Sequence, residues 1–136
     1  MEASPFHARL GINVDAVREG QVELRLEARE DHVNLMGSVH GGVLATLADV
    51  AAGLAVRSAI PDGTDHVSVH LDVQYLSPAR PGTLCATGRV TRLGRRLAFS
   101  RAEVTDADGA LLATAQVTVA ISRPRSAPVD REPDDQ

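Results

Sequence analysis

Apolar and polar residues alternate with a period of two along much of this chain, the pattern of half-buried strands. Val22, Leu24 and Leu26 alternate with Glu23 and Arg25. Val67, Val69, Leu71, Val73 and Tyr75 alternate with Ser68, His70, Asp72 and Gln74, and Pro78 and Pro81-Gly82 close that strand. Leu84–Val90, Leu97–Val104 and Leu111–Ile121 read as three further strands. Arg92-Leu93-Gly94-Arg95-Arg96 separates the first two, and the turn Asp106-Ala107-Asp108-Gly109 separates the last two. Phe6–Leu10 is expected to form a short amphipathic turn or helix.

One long helix interrupts the strands. The pattern predicts it from His40-Gly41-Gly42 to about Ile60, with Pro61-Asp62-Gly63 as its stop. Val43, Leu47, Val50 and Leu54 fall on one stripe, and most other positions are Ala or Gly. From Gly41 to Val56 the only charge is Asp49. A helix apolar nearly all round is a buried one. The expected fold class is α+β: a long central helix wrapped by a curved antiparallel sheet of five or six strands. Residues 1–121 are expected to form a single domain. Residues 122–136, with three Pro, seven charges and one Val, are expected to be a disordered tail.

Composition narrows the function. The 136 residues carry 14 basic and 18 acidic side chains, a net charge of −4, and every basic residue is Arg. Phe6, Tyr75 and Phe99 are the only aromatics. An acidic chain so poor in aromatics lacks the basic stripe and stacking platforms that nucleic acid requires. The purest apolar run, Val50–Val56, is far short of the ~20 residues of a membrane span, and no secretory leader is apparent. Cys85 is the only cysteine, so no internal disulfide or Cys-based zinc site is expected, and the expected location is the cytoplasm. With 20 Ala and 16 Val supplying much of the apolar content, the core is either thin or completed by copies of the chain.

Three features could carry chemistry. Asp49 shares a helix face with Ala45, Ala52 and Val56, where a carboxylate is costly unless paired or shifted in pKa. It is either a site carboxylate, a structural hydrogen-bonding group or part of an exposed helix edge. Gly41 and Gly42 open the helix and leave backbone N–H groups able to hold a developing oxyanion, or simply allow tight helix entry. His40 and Asn34 beside them are either site groups or loop residues. Arg89, Arg92, Arg95 and Arg96 cluster around a turn and could grip phosphates, or balance an acidic surface. Cys85 reads as a small apolar residue and not a nucleophile.

The run Asn34–Asp49, NLMGSVHGGVLATLAD, resembles the hotdog-fold thioesterases of the phenylacetate-pathway (PaaI-like) group. The features shared are Asn34, His40-Gly41-Gly42, Thr46-Leu47-Ala48-Asp49, Tyr75-Leu76-Ser77-Pro78 and Gly94-Arg95-Arg96-Leu97-Ala98-Phe99. The resemblance spans roughly residues 10–121. It implies metal- and cofactor-free hydrolysis of an acyl-CoA thioester by a homodimer with a continuous sheet, often assembled into a homotetramer. It implies Asp49 as general base or nucleophile, with the Gly41 N–H polarising the carbonyl and His40 and Asn34 in support. It also implies that Ser68 helps place the water. Some relatives carry a Thr one turn after the carboxylate; here that position is Gly53. Gly42, Arg92, Arg95 and Arg96 are the expected substrate-binding residues, the arginines for the CoA phosphates. A hotdog dehydratase or hydratase, and a non-catalytic acyl-CoA-binding module, are the competing functions.

Eight residues on one helix separate Gly41 from Asp49 by about 12 Å. A thioester carbon must lie about 3 Å from both the oxyanion donor and the attacking group. One helix is therefore not expected to supply both. Gly41, Asn34 and His40 of one subunit are expected to act with Asp49 and Ser68 of the other.

Overall fold

The structure is a computed structural model that describes residues 4–122. Helix α1 (Pro5–Leu10) leads into strands β1 (Ile12–Arg18) and β2 (Gln21–Ala28). A single 3-10 turn at Glu30–His32 and a loop precede helix α2 (Gly41–Ala59). Strands β3 (Asp65–Tyr75), β4 (Gly82–Leu93), β5 (Leu97–Asp106) and β6 (Leu111–Ser122) follow. The six strands form one antiparallel sheet in the order β1-β2-β4-β5-β6-β3, and α2 packs across it. This is the hotdog arrangement. The expected tail falls on residues 123–136, outside the described residues; Ser122, placed in that tail from sequence, is the last residue of β6.

The expected turns form where the sequence puts them. At the β5–β6 hairpin, Asp106 Oδ1 accepts from the N–H groups of Asp108 and Ala110, and Gly109 takes the left-handed φ of 83°. Strand β1 is absent from the five strands read from sequence. Its register slips between Val14 and Ala16, which breaks the period of two, and only Ile12 is buried along it.

One expectation about burial is corrected, on β3. On α2, Val43 and Leu54 of the large-residue stripe are only partly covered. The fully covered positions are Leu47, Ala48, Ala51, Ala52, Ala55 and Val56, mostly small. The reason lies opposite, at Gly88 on β4. A Cβ there would fall onto the Ala51 carbonyl and the Ala52 nitrogen, so helix and sheet are in backbone contact. Only small side chains permit that approach. On β3 the alternation does not mark a covered face, because the strand lies at the sheet edge; Val67 is 61% exposed and Val69 58%.

By length and composition alone, α2 could cross a membrane, with 19 residues and a mean hydropathy of 1.4. The short run Val50–Val56 understated it. Its fully covered positions, Leu47, Ala48, Ala51, Ala52, Ala55 and Val56, lie against the sheet.

The contact at Gly88 sets a stability prediction with a built-in control. Gly88→Ala should lower stability by about 3 kcal/mol or prevent folding, because the backbone of Ala51 cannot yield as a side chain does. Gly53→Ala, which meets nothing within 4 Å, should raise it by about 0.5–1 kcal/mol through helix propensity. Urea unfolding of the two variants checks both signs.

Candidate active site

The loop before α2 is fixed from several sides. Asn34 Oδ1 accepts from Met36 N–H at 2.9 Å and Ser38 N–H at 3.2 Å, closing a tight polar turn. Val39 N–H donates to the Ala79 carbonyl and His40 N–H to the His32 carbonyl, each at 2.8 Å. His32, buried and outside the sequence-based candidates, receives Arg29 N–H on Nδ1 at 2.9 Å. This arrangement delivers His40 to the N-cap of α2.

There the two glycines part company. His40 Nδ1 accepts the Gly42 N–H at 2.8 Å, which places the imidazole proton on Nε2. The Gly42 N–H is thus committed to the cap. The Gly41 N–H has no acceptor among the described residues and is the one left for a ligand. Tyr75 lies directly over it. Its hydroxyl donates to the Gly41 carbonyl at 3.1 Å, and a Cβ on Gly41 would be 3.3 Å from the ring. Asn34, Gly41, Leu44, Tyr75 and Pro78 help line a cavity of about 360 Å³.

Asp49 lies two turns further along the helix and is half-buried. Ser68 Oγ donates to Asp49 Oδ1 at 2.8 Å, so the lone carboxylate of α2 has a partner. A register slip makes the bond possible. Ser68 pairs with the inward-facing Val119 and Leu71 with the inward-facing Val117, three positions apart on β3 against two on β6. The extra residue between Ser68 and His70 lets both face the helix. Strict alternation would have grouped Ser68 with His70 and Asp72 on the polar face.

Two clusters therefore stand on α2: Asn34, His40, Gly41 and Tyr75 at its start, and Asp49 with Ser68 beyond. The rise of the helix separates Gly41 from Asp49 by about 12 Å. Arg92, Arg95 and Arg96 come together elsewhere, with Leu97 and Phe99, around a cavity of about 530 Å³ at the β4–β5 hairpin. Arg89 lies outside it, opposite Arg101. Tyr75 is the functional candidate that sequence reasoning missed; it entered only as part of a motif. Its signal was its rarity, as the sole Tyr among three aromatics.

Two titratable groups are displaced. Burial and, secondarily, Asp15 push the Cys85 thiol up, which suppresses the thiolate. Burial and the Arg57 guanidinium lower the pKa of His66, against a smaller opposing effect of Asp65.

A thioesterase superfamily model matches residues 36–113. A Halobacterium salinarum protein with a provisional esterase name is 40% identical over 116 residues, covering 81% of this chain and 76% of that protein. Human acyl-coenzyme A thioesterase 13 is 33% identical over 120 residues, covering 86% and 85%. A mutant of the phenylacetic acid degradation protein PaaI from Thermus thermophilus superposes with a TM-score of 0.79 at 34% identity, covering 86% of this chain and 98% of that one.

The lowered pKa of His66 fixes a pH dependence. A native pKa below the ordinary histidine value means that the unfolded chain binds more protons in the interval between them. This contribution is present above about pH 6.5 and is lost as the pH falls through the interval. The melting temperature of His66→Gln should therefore fall less than that of the parent between about pH 7.5 and about pH 5.5.

Proposed function

The chain belongs to the thioesterase superfamily and is a thioester hydrolase, and from that premise we propose that it cleaves an aryl- or medium-chain acyl-CoA to the free acid and CoA. The observation that carries this reading is the 2.8 Å bond from Ser68 to Asp49, on the helix that begins with the free Gly41 N–H. A carboxylate held as a hydrogen-bond acceptor is ready to act on water or on an acyl carbon.

In the general-base route, Asp49 takes a proton from a water placed by Ser68. The oxygen of that water attacks the thioester carbon, and the carbonyl oxygen becomes an oxyanion held by the Gly41 N–H. Asn34 and His40, shortly before Gly41 in sequence, are assigned to support that charge. The C–S bond then breaks, and the thiolate takes the proton from Asp49. In the nucleophilic route, Asp49 attacks first and water hydrolyses the resulting anhydride. Both routes use ionised Asp49. Arg92, Arg95 and Arg96, gathered around one cavity, are assigned to the CoA phosphates.

The separation along α2 calls for two subunits. Strand β3 is a free sheet edge with exposed apolar side chains at Val67, Val69 and Leu71, which suits pairing with its own copy into a continuous sheet. Gly41, Asn34 and His40 of one subunit would then face Asp49 and Ser68 of the other.

Thiol release from a panel of acyl-CoA thioesters tests both parts. Asp49→Asn should lose at least about 100-fold in kcat. Binding of every panel member without thiol release by the parent would favour a non-catalytic module. Equal mixtures of Asp49→Asn and Asn34→Ala chains should regain about a quarter of parental activity, since half of the dimers are mixed and each holds one intact site. No recovery would contradict the shared site.

A further inference from the structure

The peptide unit joining Gly41 to Gly42 is gripped at both ends by side chains. Its N–H donates to His40 Nδ1 at 2.8 Å, and its carbonyl accepts the Tyr75 hydroxyl at 3.1 Å. Within α2 the same carbonyl also faces the N–H of the following turn, so Tyr75 occupies its second lone pair. The next carbonyl, that of Gly42, is held in a similar way by Thr46 Oγ1 at 2.7 Å.

Glycine is the residue whose backbone most needs such restraint. Gly41 has no side chain to limit its φ and ψ, and its N–H direction follows from those angles. The Tyr75 ring supplies a wall on that side, 3.3 Å from where a Cβ would sit. The fit is close: a side chain on Gly41 would press on the ring, and the ring limits how far the glycine can turn.

We propose that Tyr75 is a positioning residue for the oxyanion donor: it holds the Gly41–Gly42 peptide so that the Gly41 N–H is aimed before substrate arrives. The proposal rests on the hydrolase reading above. Donors fixed in advance avoid reorganisation at the moment charge develops, so their effect falls on the transition state. Tyr75 is also placed to couple the two clusters, because strand β3 carries it at one end and aims Ser68 at Asp49 near the other.

The test is Tyr75→Phe, which keeps the ring over Gly41 and removes only the hydroxyl. Steady-state kinetics should show kcat lowered about fivefold, the worth of one neutral hydrogen bond, with KM within about twofold of the parent. Tyr75→Leu, which also removes the ring, should lower kcat further. An unchanged kcat, or a rise in KM alone, overturns the proposal, since the latter marks a plain substrate contact. Amide NMR provides a readout that does not depend on turnover. The Gly42 N–H resonance should move in Tyr75→Phe while that of Gly53 stays in place; a Gly42 resonance at its parental position overturns the proposal. If the parent releases no thiol from any thioester, the hydrolase reading fails, and the Gly42 resonance still decides whether Tyr75 holds that peptide.

Discussion

The backbone contact between Gly88 on β4 and Ala51 on α2 is the constraint on which the rest of the molecule depends. A sheet can wrap a single helix closely only if the facing side chains are small. Ala48, Ala51, Ala52 and Ala55 meet that condition on the helix, and Gly88, Ala86, Ala98 and Ala102 meet it on the sheet. The surplus of alanine in the composition is therefore not a thin core by default. It is the material of a close helix–sheet interface.

That contact fixes α2 on one side and leaves its other side for polar groups. With the helix seated, Gly41 and Asp49 are held at a set spacing, one at the positive end of the helix dipole and one two turns along. Neither group can approach the other. Strand β3 then supplies a hydroxyl to each: Tyr75 to the Gly41 carbonyl, Ser68 to the Asp49 carboxylate. The edge position that leaves β3 free to pair with another chain is the position from which it reaches both clusters.

Much of this was legible in the sequence because strong periodicities carried it. The bounds of α2, the β5–β6 hairpin and five strands follow from spacing, glycine and proline. Asp49 was conspicuous as the only charge between Gly41 and Val56, and it is at Asp49 that the Ser68 bond forms. What escaped the pattern was set by irregularity or by tertiary contact. Register slips hid β1 and turned Ser68 from the polar face to the helix face. The difference between Gly41 and Gly42 depends on which N–H the His40 ring captures, and no spacing rule encodes that. Tyr75 escaped for the same reason: its partner is a backbone carbonyl 34 residues away.

We propose that a working site requires two copies of the chain, because one helix holds Gly41 and Asp49 about 12 Å apart. The direct measurement is specific thioesterase activity across a dilution series, with molar mass followed by analytical ultracentrifugation over the same concentrations. With a shared site, thiol release per chain should fall in step with the fraction of chains in dimers. Full turnover by the monomer would contradict it.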